Sequence, residues 1–254
     1  MNTRILCLIV VGLLLGFRGQ SAPVYVNSPR PAGPVDQFLP GPFFLDRNQS
    51  VRLQQVYEAS DFSGYGFPEE GVLITEISFF GGPVPIGLTT PSNIQINLST
   101  TSKLPDGLSA SFAENIGSDD LIVYGPSPLR ITQGPGATMG ITLSQPFPYR
   151  SSSGNLLLDI RNWQGMGQPP PPSSWQLAVV SRAGDSVSGV SSSDVNSAIA
   201  EFGDTFGLMT VFTVIPIPEP GPVVLLAVGG VALFLFTSRG RLRFRRRDVS
   251  LTQP

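Results

Sequence analysis

The chain has 254 residues, 41% of them hydrophobic, with one cysteine, no histidine and a formal net charge of −2. Without histidine there is no Ser-His-Asp triad, Cys-His dyad, histidine general base or Cys/His zinc site, and a single cysteine leaves no disulfide framework. The near-neutral total hides an asymmetry: from Pro23 to Pro218 eight basic side chains stand against sixteen acidic ones, a net charge of −8 that argues against nucleic-acid binding, which needs a basic surface.

Residues 1–22 have the layout of a secretory signal peptide. Arg4 marks a short n-region, Ile5 to Phe17 is the apolar h-region, and Gly19, Ser21 and Ala22 supply the small residues before a cleavage site for signal peptidase. Cys7 lies inside the h-region and leaves with it. Residues 23–50 follow as a leader, with six prolines between Pro23 and Pro42, and read as extended chain lying along the domain.

From Val51 the pattern changes to short apolar runs separated by Gly, Pro, Ser and Asp, and residues 51–215 are expected to be one β domain. Val51–Ala59 and Val72–Phe80 are rich in β-formers, the second bounded by Gly71 and the Gly81-Gly82 pair. Ile94, Ile96 and Leu98 alternate with polar residues, which predicts a strand with one buried face. Leu108–Asn115 fits a short helix as well as a strand. Leu121–Tyr124, Met139–Leu143, Leu156–Ile160, Trp175–Val180 and Leu208–Val214 are further strands. Gly165–Ser174, with four consecutive prolines, is an exposed loop, and Ala183–Gly207 is either a long surface loop or a weak hairpin around Val187–Val190. Many short strands joined by Gly- and Pro-rich turns predict an all-β, antiparallel β-sandwich, jelly-roll or immunoglobulin-like, with a closed barrel as the alternative.

The last segment, residues 216–247, has three parts. Pro218, Glu219 and Pro220 form a Pro-Glu-Pro triplet. An uncharged apolar run then predicts a transmembrane helix over 222–238, and Arg239, Arg241, Arg243, Arg245, Arg246 and Arg247 follow it. The arginines on one side only place the tail, including residues 248–254, in the cytoplasm and the body across the membrane. The order of the three parts resembles the PEP-CTERM sorting signal of exopolysaccharide-producing Gram-negative bacteria. That resemblance implies processing by exosortase, a membrane protease-transpeptidase, near Pro218–Pro220; in this chain Asp248–Pro254 runs on past the arginines, where the family usually stops sooner. The body also resembles ectodomains often attached to such tails, in QQVYEASDF, INLSTT, SQPFPYRSSSGNLLLDI and FGLMTVFTVIPIPEP. This second resemblance carries no chemistry with it.

Few groups in the body invite a chemical role. Lys103, the only lysine, reads as an exposed turn residue rather than half of a Ser-Lys dyad. Glu69-Glu70 and Asp119-Asp120 sit beside turns as solvated charges, and a carboxylate pair for glycoside hydrolysis is a remote reading of them. Calcium suits Asp119 and Asp120 better, since it takes hard oxygen ligands from Asp side chains and loop carbonyls. Trp163 and Trp175 flank the proline loop, as anchors for it or as a platform for stacking a sugar of the extracellular polysaccharide. The sequence therefore points to an exported, non-enzymatic surface or matrix protein, with a lectin-like module and a carboxylate-based hydrolase as rival classes.

Overall fold

The computed structural model describes residues 22–29, 35–39, 41–43, 49–81, 89, 93–135, 138–163 and 176–218. Residues 1–21 of the signal segment, the proline loop Gly165–Ser174, Trp175, Glu219, Pro220, the expected membrane span and the arginine cluster lie outside them. Among the described residues the elements are β-strands and short 3-10 turns, and no helix is long and apolar enough to cross a membrane.

In chain order the strands are β1 (Val24–Ser28), β2 (Gln37–Leu39), β3 (Val51–Tyr57), β4 (Val72–Phe79), β5 (Ile94–Thr101), β6 (Leu121–Ser127) and β7 (Thr132–Gln133). They continue as β8 (Met139–Tyr149), β9 (Asn155–Asn162), β10 (Leu177–Val180), β11 (Val187–Ser192), β12 (Phe202–Asp204), β13 (Gly207–Leu208) and β14 (Thr210–Pro216). Every ladder is antiparallel. One sheet runs β1-β14-β4-β8-β7, a second β12-β11-β3-β9-β5-β6, and a small third β13-β10-β2. Ala22–Ile217 forms one compact unit.

Strand β4 shows how the sequence sets the inward face. Val72 and Ile74 point inward, and so do Ile77 and Phe79, which are out of phase with them. In the ladder to β14, Thr213 pairs with Glu76 and the next residue, Val214, with Ile74, so Thr75 is the extra residue of a bulge that resets the alternation. Ile77 and Phe79 then meet the core formed by Ile94, Ile96 and Leu98 of β5 and Leu156, Leu158 and Ile160 of β9. The rings of Tyr57 (β3) and Phe212 (β14) meet edge-on, with centroids 4.9 Å apart at 89°. The two large sheets therefore pack face to face in a sandwich-like arrangement around one core.

The pairing has a nested order. Of β1, β3, β4, β5, β6, β8, β9 and β14, the first pairs with the last, the second with the second-last, and so inward: β1 with β14, β3 with β9, β4 with β8 and β5 with β6. Successive pairs fall alternately in the five-stranded and the six-stranded sheet.

Two sequence expectations change here, and two open alternatives are resolved. The leader is part of the fold, because β1 forms an edge of the five-stranded sheet and β2 pairs with β10, so the unit begins at Ala22 rather than Val51. Strand β5 is buried on both faces instead of one. The Ser/Gly-rich stretch after Ala183 contains β11, a buried strand paired along its length with β3. The ambiguous Leu108–Asn115 segment ends in a 3-10 turn over Phe112–Asn115.

Candidate functional site

The second buried face of β5 belongs to a polar patch on the outer side of the six-stranded sheet. Leu156, Leu158 and Ile160 of β9 point into the core, so alternation turns Asp159 and Arg161 outward. The register sets Asp159 between Gln54 of β3 and Asn97 of β5, and Arg161 between Arg52 and Gln95. Six polar side chains thus share one patch across three neighbouring strands.

Asp159 is its centre. Arg52 grips the carboxylate through Nε (3.2 Å to Oδ1) and its terminal nitrogen (2.6 Å to Oδ2), Arg161 reaches Oδ2 at 3.2 Å, and Gln54 Nε2 donates to Oδ2 at 3.1 Å. The Arg52 and Asp159 side chains are only 10% and 2% exposed. The Arg52 guanidinium lies 4.3 Å from the centroid of Phe112, and Gln54 Nε2 also donates to the Phe112 carbonyl at 3.1 Å. Asn115 Nδ2 closes the network by donating to Gln54 Oε1 at 2.9 Å. The 3-10 turn thus covers one end of the patch. A buried carboxylate held by four donors from β3 and β9 ties the two strands together.

At the other end, Gln95 Nε2 donates to Asn97 Oδ1 at 2.7 Å, and Asn97 Nδ2 donates to both oxygens of Asp120 at 3.1 and 2.9 Å. Burial pushes the Asp120 carboxyl above its ordinary range, and the negative charges of Asp159 and Asp119 add to the shift, while the Asn97 hydrogen bond and Arg161 oppose it. Asp119 faces a different partner. Its Oδ1 accepts from the backbone N–H and the hydroxyl of Thr100 at 2.8 and 3.0 Å. Among the described residues no group of three or more His, Cys, Asp or Glu side chains is placed to hold a metal ion.

Trp163 continues the line of Asp159 and Arg161. Its backbone N–H donates to the Asn93 carbonyl at 3.0 Å, extending the β5–β9 ladder by one step, and the residue is half-buried. Its expected partner Trp175 is outside the described residues. Glu69 is exposed as expected, whereas Glu70 is half-buried, with Oε2 buried and without a hydrogen-bond partner. Lys103 is held through its main chain, the N–H donating to Thr101 Oγ1 and the carbonyl accepting from Asn155. Pro218 is exposed and directly follows Ile217, whose N–H donates to the Gly71 carbonyl at 3.0 Å.

The sequence reading passed over Arg52, Gln54, Asp159 and Arg161. The available signal was the i, i+2 spacing of polar residues inside two apolar strands, RLQ and DIR, which puts polar groups on one face.

Comparison of the chain with protein families, curated proteins and solved structures finds no match. Fold and patch together define an all-β, antiparallel, sandwich-like protein with a cross-linked polar outer face.

Proposed function

We propose that this chain is an exported, non-enzymatic surface or extracellular-matrix protein whose body is delivered by a C-terminal exosortase-type signal. The observation that carries the reading is the position of the triplet against the compact unit Ala22–Ile217. Among the described residues the last ladder residue is Pro216, Ile217 is tied to Gly71, and the Pro-Glu-Pro triplet begins at the next residue. A protease would find extended chain directly after the last anchored residue, because proline keeps the backbone out of helix and sheet. The helix over 222–238 and the six arginines would hold the tail in the inner membrane until processing, after which the body joins the cell surface or its polymer.

The nested pairing of β1 with β14, β3 with β9, β4 with β8 and β5 with β6 supports a jelly-roll for the body, in which one long antiparallel hairpin is rolled into two sheets. In this reading the acidic body has no nucleic-acid partner. Calcium at Asp119 and Asp120 is its one cofactor candidate.

A second reading, a glycan-binding module, is favoured by one observation. Trp163 directly follows β9 and stands two residues after Arg161 with its backbone still tied to Asn93, so continued alternation would set its ring on the same outer face as that guanidinium. The first reading is tested by fusing residues 216–254 to an unrelated exported reporter in a host that carries exosortase. Release of the reporter, abolished when Pro218, Glu219 and Pro220 are all changed to alanine, is the expected result. Retention of the reporter with the native triplet would overturn it. Saturable quenching of Trp163 fluorescence by the host's own exopolysaccharide tests the second.

A further inference from the structure

A cleft of about 480 Å³ opens where β4 begins and β8 ends, away from the polar patch. Its floor is apolar and fixed. Phe62, Val72 and Tyr149 are buried there, the Phe62 and Tyr149 rings meet edge-on with centroids 4.7 Å apart, and the Tyr149 hydroxyl donates to the Gly154 carbonyl at 2.9 Å. One wall is Phe67, half-buried and stacked on Tyr65 with ring centroids 5.4 Å apart and planes within 8°. Gly71 lets the two chain segments meet at the base: its φ is +89°, and a Cβ there would stand 2.3 Å from the Tyr149 carbonyl oxygen.

The rim is polar and exposed: Ser63, Glu69, Arg150, Ser151 and Ser152. Arg150 Nε donates to the Glu70 carbonyl at 2.9 Å, which orients the guanidinium, and among the described residues Arg150 forms no ion pair. The rim therefore carries one guanidinium, one carboxylate and three hydroxyls above an aromatic floor, the Ser63 hydroxyl already donating to the Ser60 carbonyl at 2.7 Å. An anion would meet Glu69, a cation would meet Arg150, and an apolar ligand would strip water from all five groups without replacing its hydrogen bonds. A neutral sugar meets none of these penalties. Its hydroxyls both donate and accept, and the C–H face of a pyranose packs on aromatic carbon. The volume lies in the range of small-molecule sites.

We propose that this cleft binds a neutral hexopyranose unit, with Phe67 as the packing wall and Arg150 and Glu69 as the groups that fix its hydroxyls. The inference goes beyond both readings above, since neither gives the cleft a role, and its test leaves the tail untouched.

The test uses the full chain, kept in a detergent without a sugar headgroup, and saturation-transfer NMR with the methyl glycosides of glucose, galactose and mannose, and with methyl glucuronide. Transfer to the ring protons of at least one neutral glycoside is expected. Arg150→Gln should weaken that glycoside roughly tenfold by removing a charged hydrogen bond. Ser152→Trp, a surface change that fills the cleft from an exposed position, should abolish transfer while the melting temperature stays within a degree or so of the parent, as surface changes ordinarily do. No transfer to any neutral glycoside would overturn the proposal. So would transfer to the glucuronide alone, or transfer that survives both substitutions.

Discussion

The hydroxyls of Tyr57 and Thr210 lie 2.8 Å apart and join the six-stranded sheet to the five-stranded one through the core. Thr210 Oγ1 donates to the Leu208 carbonyl at 2.9 Å, so Tyr57 is the donor to Thr210. Burial pushes the phenol well above its usual range, which keeps it protonated and able to donate. A hydrogen bond between the layers adds direction to a contact that apolar packing alone would leave free to slide.

Tyr57→Phe should therefore lower stability by about 1 kcal/mol, the net worth of a typical buried hydrogen bond. Tyr57→Ala also leaves a cavity against Phe212 and should cost about 3–5 kcal/mol. Urea unfolding checks both, with the midpoint moving and the slope unchanged.

The Arg52–Asp159 pair behaves differently, because its cost appears when it is broken. Asp159→Ala strands the Arg52 guanidinium, which is only 10% exposed, and should destabilise by about 3–5 kcal/mol. Joint replacement by Arg52→Met and Asp159→Leu should recover much of that loss. The double-mutant cycle on denaturation midpoints reads the coupling directly.

Asp120 sets a pH dependence. Its carboxyl is raised above the ordinary value of 3.8, so the folded chain binds that proton more tightly than the unfolded chain does. Its contribution to stability is therefore greatest in acid and falls as pH rises through the range just above 3.8. Asp120→Asn should melt higher than the parent at pH 7, with the gain gone below about pH 4. Calcium bound at Asp119 and Asp120 would show as a rise in the parent's melting temperature at millimolar calcium that the variant lacks.

Gly125 in β6 has φ +71°, and a Cβ there would lie 1.9 Å from the Ile94 carbonyl oxygen. Gly125→Ala should cost at least about 1–3 kcal/mol from the left-handed backbone alone. Hydrogen exchange should show the loss first as opening of the β5–β6 ladder.

Much of the fold was legible because strands announce themselves locally. β4, β5 and β9 are apolar runs with turn residues at their ends, and the structure begins or ends them within a few residues of those signals. β1 was not legible, since its partner β14 lies at the opposite end of the unit and proline spacing says nothing about distant pairing. β11 was only half legible: VSGVSS reads as loop or as a weak hairpin around Val187–Val190, and its small side chains suit a strand whose faces are both covered. The polar patch follows the same rule. Outward polar residues can be read from alternation, but that Arg52 meets Asp159, 107 positions away, follows only from the β3–β9 pairing. Asp119 and Asp120, adjacent in sequence, turn to Thr100 and Asn97 respectively.

We propose that the body is released from a sorting signal over residues 216–247 by processing near Pro218–Pro220. The most direct measurement is the intact mass of the protein recovered from its native host. The account predicts a chain that starts after Ser21 or Ala22 and stops between Pro218 and Pro220, alone or with an added group. A mass that retains Arg239 to Arg247 would contradict it and leave a plain membrane anchor.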